Sequence, residues 1–229
     1  MAAYDLEEQE KIDELKSWWG QYGNLLLNIL IAIFSVVIAW QGWNWYQRRQ
    51  AAQASMVYYH LQDAIQKKDS ARVKAMSGEL LEKFDGSSYA SLGALLAAKS
   101  FVEAGDVKTA KAQLQWIADN DKDDLRDFAR LRLAAILIDE KSYDDALKRL
   151  DGKVAPVFEA RFLDTRGDIL KIQGKTEEAR DAYRLALTRL GETRTPLAGL
   201  DLAQNWQARA DEIYRETIQQ KLDALGGAR

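Results

Sequence analysis

The chain has 229 residues, of which 29% are charged, and its formal net charge is −3. The near balance between 32 Lys+Arg and 35 Asp+Glu offers no strongly basic surface for nucleic acid. The chain has no cysteine, which excludes disulfides, cysteine-ligated zinc and thiol catalysis but leaves the compartment open.

The chain begins with an acidic tail over residues 1–16. This tail has six acidic residues against Lys11 and Lys16, so it lacks the basic start of a cleavable signal peptide. Helix-forming residues predominate in it. We predict a solvated helical extension, with a docking peptide as the alternative.

Residues 17–47 contain no charged side chain. The apolar centre, Leu25 to Trp40, extends at both ends to about 21 helical residues, which gives the ~30 Å that a hydrocarbon core requires. We predict an uncleaved transmembrane helix, followed by a juxtamembrane linker over residues 48–53. Aromatic side chains that favour membrane interfaces lie at both ends of the apolar run: Trp18, Trp19, Tyr22, Trp40, Trp43, Trp45 and Tyr46.

One face of the predicted span has small or polar residues at steps of four, three, four and three. In lipid, helices associate through close backbone approach along small residues and through hydrogen bonds from polar ones. This face is therefore a candidate docking surface for another transmembrane helix, unless lipid merely tolerates its residues. Its members are Asn28, Ala32, Ser35, Ala39 and Gly42.

From Ala51 to Leu190 the chain has helix formers throughout, interrupted only by Pro156, with apolar residues at three- and four-residue steps. A period of about 34 residues is visible in this region. Three turn positions are each followed five residues later by an alanine: Gly105 and Ala110, Lys141 and Ala146, Gly174 and Ala179.

The last of these units, residues 160–193, resembles a tetratricopeptide (TPR) repeat. Gly167 stands at the small-residue position of the first helix, and Ala179, Tyr183 and Ala186 follow along the second. Such spacing lets two antiparallel helices approach closely while a large ring fills the space beside them. Two preceding units are more degenerate, and a weaker fourth begins near Ala54. The alternative is an unrelated helical bundle.

We therefore predict an all-α protein with one N-terminal transmembrane helix, a TPR-like α-solenoid over residues 54–200 and a C-terminal capping helix over residues 201–229. Repeat stacks bind through the face formed by the first helix of each pair. The register predicts that face to contain Leu92, Leu95, Lys99 and Val102; Phe128, Leu131, Ala135 and Ile138; and Arg161, Asp164, Asp168 and Lys171.

The last helix is marked by apolar residues that follow a break at Pro196. A terminal repeat cannot leave its inner face bare, so this helix is expected to act as a cap. The groove of the repeats is then either open to a partner or filled by this helix. The marking residues are Leu202, Trp206, Ile213, Leu222 and Leu225.

No stretch fits a phosphate loop, a dinucleotide fingerprint, a nucleophile elbow or a zinc-protease motif. The run DNDKDD, from Asp119, imitates the start of a calcium loop, but Asp124 replaces the required glycine and Arg130 the bidentate glutamate. The lone histidine, His60, is interpreted as a surface or packing residue. We predict a non-enzyme without a metal or cofactor.

The acidic segment from Tyr4 to Trp19, the single span and the degenerate TPR domain together resemble the YfgM-like family of ancillary SecYEG translocon subunits. This resemblance implies an inner-membrane protein with a cytoplasmic N-terminus and periplasmic repeats. It also implies that the protein associates with the translocon and with a PpiD-like membrane-anchored chaperone, and helps unfolded client proteins reach periplasmic chaperones. A general membrane-tethered TPR scaffold for envelope assembly is the alternative.

Overall fold

The computed structural model describes the backbone of residues 2–121, 123–192 and 201–226, and their side chains except in 2–10, 13–15, 123 and 201–208. The predicted all-α class is confirmed, because these residues contain helices and no strand. The chain divides into two compact units, Met1–Gln53 and Ala54–Arg229. The helices are α1 (Ala2–Gln66), α2 (Ser70–Lys83), α3 (Ser88–Glu103), α4 (Val107–Asn120), α5 (Asp123–Asp139), α6 (Tyr143–Arg149), α7 (Pro156–Ile172), α8 (Thr176–Glu192) and α9 (Asp201–Asp223).

The first unit consists of the N-terminal part of α1. Within the described residues, α1 is the one helix that is long and apolar enough to cross a membrane. Its apolar side chains are exposed, as lipid-facing side chains must be. Aromatic rings pack together at both ends of the apolar run, with ring centroids 5.8 Å apart for Trp18 and Tyr22 and 6.2 Å apart for Trp43 and Tyr46.

The second unit contains four helical pairs. Helix α3 pairs with α4, α5 with α6, and α7 with α8, and the C-terminal end of α1 packs on α2 through a common core cluster. Each pair turns through one residue with a positive φ angle. This residue follows the small or apolar register position of the first helix by seven places in all four pairs. The turn residues are Lys68 (φ 54°), Gly105 (φ 81°), Lys141 (φ 60°) and Gly174 (φ 76°), after Leu61, Ala98, Ala134 and Gly167.

Close helix crossings hold these pairs together. A Cβ atom built on Gly167 would lie 2.5 Å from Cε1 of Tyr183, whose ring is fully buried between α7 and α8. A Cβ atom on Gly93 would lie 2.4 Å from Cδ1 of Leu80 in the preceding pair. Only glycine fits where packing density leaves no room for a methyl group.

The core continues from pair to pair. One cluster joins the end of α1 with α2, α3, α4 and the buried side of α5. A second cluster joins α5, α6 and α7, and a third joins α7, α8 and α9. Each pair therefore buries its apolar face against its neighbours in the chain, which is the architecture of a helical solenoid.

The connection between α6 and α7 is bound to α5 by a buried carboxylate. Asp127 is fully buried and accepts hydrogen bonds from Arg126 (2.9 Å), Arg130 (2.9 Å) and the backbone N–H of Ala155 (2.7 Å). Burial raises the pKa of Asp127, but these three donors outweigh burial and hold the pKa below its ordinary value. Arg130 also donates to backbone oxygens of the connection, including that of Arg149 at 2.9 Å. Asp127 is therefore ionised and holds this turn in place.

Helix α9 packs on α7 and α8 through two of the residues that its sequence suggested and through one that it did not. Leu222 is buried and Leu225 packs beside it, but Ile213 is 62% exposed, and Ile218, which the sequence analysis did not single out, is fully buried. The side chains of Leu202 and Trp206, like Pro196, lie outside the described residues. The packed face of α9 is therefore centred on Ile218.

The turn at Lys141 offers a direct test of the repeat register. A side chain at positive φ costs about 1 to 2 kcal/mol relative to glycine, so we expect Lys141→Gly to raise the free energy of unfolding by about 1 kcal/mol. Denaturant unfolding of residues 54–229 measures this change. The matched control is Lys74→Gly, inside α2, which we expect to lower the same quantity by about 1 kcal/mol. Destabilisation by both glycines would contradict the equivalence of the four turns.

Candidate partner-binding surface

The predicted inner-face residues of α3 and α5 lie at or near the surface. On α3, Leu92 and Val102 are 39% and 45% exposed, and Lys99 is exposed, with an ion pair to Glu103 at 3.8 Å. Leu95 is half-buried against the core of the first two pairs. These side chains give α3 an apolar strip with one flexible cation, which suits an apolar partner segment.

On α5 the predicted residues are less accessible. Phe128 is half-buried, and the guanidinium of Arg132 lies 4.9 Å from its ring centroid. Leu131 and Ile138 are half-buried against the core formed by α5, α6 and α7, whereas Ala135 is exposed. The strip on α5 therefore presents only the edges of its large side chains.

Two of the predicted residues of α7, Asp164 and Asp168, are in direct contact with α9. Lys221 of α9 lies between two carboxylates, with Nζ 2.8 Å from Oδ1 of Asp164 and 2.7 Å from Oδ2 of Asp168. Tyr214 donates a hydrogen bond to Asp164 (3.0 Å), and Tyr183 of α8 donates one to Asp168 (2.8 Å). We call these five residues the α9 latch. Helix α9 thus covers the two carboxylates of the predicted inner face of the last pair.

Two neighbouring cations extend these contacts. The exposed guanidinium of Arg161 lies 5.8 Å from the ring centroid of Tyr214, within the range of a cation–π interaction. Arg180 of α8 donates a hydrogen bond of 2.6 Å to the backbone oxygen of Leu225. Lys171, the remaining predicted residue of this set, is exposed.

The α9 latch favours one protonation state. Burial raises the pKa of the Tyr183 hydroxyl, and the hydrogen bond to Asp168 raises it further. Burial and the charge of Asp164 raise the pKa of Tyr214. Burial alone would lower the pKa of Lys221, but its hydrogen bonds to Asp164 and Asp168 outweigh burial and raise that pKa. The latch therefore combines a charged lysine with two neutral tyrosines.

Sequence reasoning found the two carboxylates but missed their partners. Tyr214 and Lys221 are seven residues apart and so lie on one face of α9, with Ile218 between them. That spacing in the sequence could have identified Tyr214 and Lys221 as members of one helix face. Their pairing with Asp164 and Asp168, about fifty residues earlier in the chain, depends on how α9 packs.

The candidate docking face of the span lies entirely on α1. Asn28, Ala32, Ala39 and Gly42 are exposed, and no atom lies within 4 Å of a Cβ built on Gly42. The Ser35 hydroxyl donates to the backbone oxygen of Ile31 at 2.8 Å, so it contributes small size rather than a free donor. Asn28 is therefore the polar group of this face that has the greatest hydrogen-bonding capacity.

Metal ligands do not converge in the described residues, where no group of three His, Asp or Glu side chains could hold an ion. His60 is exposed and its ring packs edge-on to Tyr59 at 5.8 Å. The acidic run begins in the last turn of α4 at Asp119, and Asp121 is the capping residue of that helix. Arg130, at the position of a calcium-loop glutamate, instead donates to Asp127 and to backbone oxygens.

Comparison with known proteins agrees with this architecture. The model of the tetratricopeptide repeat-like domain family matches residues 16–227. A relative from Neisseria gonorrhoeae named ancillary SecYEG translocon subunit is 30% identical over 98% of this chain and all of its own length. The chain belongs to this family of TPR-like proteins.

Two more distant members of the family have the same name. The Haemophilus influenzae protein is 29% identical over 80% of this chain and 90% of its own length. The Escherichia coli protein is 29% identical over 77% of this chain and 85% of its own length. The resemblance to ancillary SecYEG translocon subunits that the sequence indicated is therefore confirmed.

The α9 latch predicts a loss of stability in alkali. A group whose pKa is raised by folding stabilises fully below its unfolded pKa and loses that contribution as the pH rises through its folded pKa. Unfolded Tyr and Lys titrate near pH 10, so we expect the free energy of unfolding of residues 54–229 to fall above about pH 10. Denaturant unfolding at a series of alkaline pH values measures it.

Lys221→Met provides the control for this pH dependence. It leaves the carboxylates without the Lys221 ammonium, and we expect it to cost roughly 1.5 to 3 kcal/mol at neutral pH. The alkaline loss should become smaller by the contribution of Lys221, while Tyr183 and Tyr214 keep theirs. The matched variant Lys171→Met, at an exposed position of α7, should leave both quantities near those of the parent. An alkaline loss that is equally steep in Lys221→Met would refute the contribution of Lys221 to the pH dependence.

Proposed function

We propose that this chain is a non-enzymatic, membrane-anchored adaptor that associates with the SecYEG translocon in the bacterial inner membrane. Its repeats face the periplasm, and it helps to pass translocated proteins to periplasmic chaperones. A PpiD-like membrane-anchored chaperone is a partner in this role. The observation that carries the proposal is the match, over almost the whole chain, to a relative named ancillary SecYEG translocon subunit.

The two units of the chain suit an adaptor at a membrane. The apolar part of α1 supplies an anchor, and one of its faces has the small residues that allow close helix approach in lipid. The second unit is a TPR-like stack, an architecture that presents an extended surface to other proteins. Anchoring confines that surface to two dimensions and raises its effective concentration near other membrane proteins.

Within the repeats, we assign partner binding first to the apolar strip of α3 and α5. Leu92, Leu95, Lys99, Phe128 and Leu131 belong to this strip. Arg161, Asp164 and Asp168 continue it on α7, where α9 covers the two carboxylates. A partner therefore meets an accessible strip that ends at the α9 latch. An unfolded client segment would bury apolar side chains on such a strip with few fixed polar contacts.

A general membrane-tethered scaffold is the second candidate function. The exposed apolar side chains on α3 would suit many partners, so this surface alone does not select the translocon. The translocon is favoured because three relatives from different bacteria are named ancillary SecYEG translocon subunits.

Copurification of the translocon from gently solubilised membranes tests the proposal. We expect SecYEG to be recovered with the full-length chain. The double variant Ala32→Leu and Ala39→Leu keeps the span apolar but blocks close approach, so we expect it to insert normally and to recover several-fold less translocon, by analogy with steric disruption of small-residue interfaces.

The matched control for that variant is Ile33→Leu with Val37→Leu, which changes the other side of α1. It should recover as much translocon as the parent. If both double variants recover as much translocon as the parent chain, the contact belongs to the repeats instead of the span. Failure of the parent chain to recover SecYEG would leave the general scaffold as the better function.

The orientation of the chain needs a separate test, because Lys11 and Lys16 before the span balance Arg48 and Arg49 after it. We expect protease added to spheroplasts to remove the repeats and to leave a membrane-protected N-terminal fragment. Immunoblots against tags at each end follow both parts. Protection of the repeats in intact spheroplasts, with digestion after detergent is added, would reverse the proposed topology.

A further inference from the structure

In each pair after the first, one position of the first helix packs against the preceding pair. This position lies five residues before the small residue that precedes each turn by seven places. It is occupied by Gly93 in α3, Ala129 in α5 and Phe162 in α7. Gly93 contacts Leu80 of α2. Ala129 belongs to the core cluster of the first two pairs, and Phe162 to that of α5 and α6. The position is thus a stacking contact throughout the solenoid.

In α1 the equivalent position is Met56, and it is 65% exposed. The next contact position, buried as Ala97 in α3, is the exposed His60. Tyr59, between them, is 67% exposed. The chain before Met56 continues in the same helix, so it supplies no preceding pair. We call Met56, Tyr59 and His60 the open end of the stack.

The two ends of the repeat unit are therefore different. Helix α9 covers the last pair and buries Ile218 and Leu222 there. The first pair instead presents the stacking face of α1, with Met56 and Tyr59 more exposed than any other large apolar side chain described from residue 54 onwards. Terminal repeats normally have a polar outer face, which keeps them soluble. Met and Tyr are enriched where proteins associate.

We propose that the open end is a docking site for a helix of the translocon, which stacks on α1 as a preceding repeat would. This inference rests on the proposed function, and it adds a contact separate from the strip on α3 and α5. The occupant is an amphipathic helix with an apolar face that covers Met56 and Tyr59. A polar side chain beside that apolar face accepts a hydrogen bond from the imidazole of His60 or donates one to it.

A partner in the same membrane fits this site better than a soluble one. Two exposed apolar side chains and one histidine form a small patch compared with the roughly 1,600 Å² that a standard stable interface buries in total. Such a patch is sufficient when another contact already holds the partner nearby, because tethering makes the second contact effectively intramolecular. Met56 follows the last aromatic of the interfacial belt, Tyr46, by only ten residues of the sequence.

The first experiment measures the translocon recovered with full-length chain from solubilised membranes. The test variant is Met56→Glu with Tyr59→Glu, which places two charges on the proposed contact. We expect about tenfold lower recovery, as for loss of a central apolar anchor. The matched control is Val157→Glu with Ile172→Glu, on α7, where the side chains are 60% and 52% exposed; it should recover as much translocon as the parent.

The second experiment keeps Met56 and His60 and introduces no charge, so it does not depend on whether the glutamate variants fold. A photo-crosslinking amino acid replaces Tyr59 in the full-length chain, and native membranes are irradiated. We expect a crosslink to a helical segment of a SecYEG subunit, identified by mass spectrometry. A crosslink only to lipid, only to a second copy of this chain, or to no protein would overturn the proposal.

The outcomes separate this inference from the function on which it rests. If the parent recovers the translocon and the Met56/Tyr59 variant recovers as much, the open end is not the contact, while the proposed function stands. If the parent itself recovers no translocon, the proposed function fails and this inference fails with it. Loss in the test variant alone, with the expected crosslink at residue 59, supports both.

Discussion

The structure of the repeats depends on close contact between helices at a few small residues. Gly167 lets the fully buried ring of Tyr183 lie against the backbone of α7, and Gly93 lets α3 approach Leu80 of the preceding pair. Because each pair stacks only on its neighbours, an error in one crossing would displace every later pair. The remaining features, including the accessible strip on α3 and α5, follow from this regular stacking.

The ends of the stack are completed in different ways. At the C-terminal end, α9 combines the buried side chains of Ile218 and Leu222 with the polar contacts of the α9 latch. Partly buried charges cost desolvation energy, and the two carboxylates around Lys221 offset that cost only in this geometry. The latch therefore specifies how α9 sits as well as stabilising it. At the other end, no part of the chain that the structure describes covers the stacking position of α1, where Met56 is exposed.

This asymmetry agrees with the function of an adaptor at a membrane. Helix α9 covers the last pair, where Ile218 and Leu222 are buried. The strip on α3 and the open end on α1 belong to the first two helical pairs, and their apolar side chains remain exposed. An adaptor with several small contacts gains affinity from their combination, and each contact by itself can remain weak and reversible.

The sequence by itself determined the features that depend on local periodicity. The uncharged run before Arg48 predicted the long apolar helix, and the common register of Gly105, Lys141 and Gly174 predicted the helical pairs and the contact between Gly167 and Tyr183. These follow from helix geometry and from side-chain size, which neighbouring residues specify. Only the tertiary structure decided which face of α9 is buried, and that Lys221 pairs with Asp164 and Asp168. It also decided that Asp127 holds the turn before α7. Those contacts join residues between about 20 and 60 positions apart, and a charged side chain does not reveal in sequence which distant partner compensates its burial.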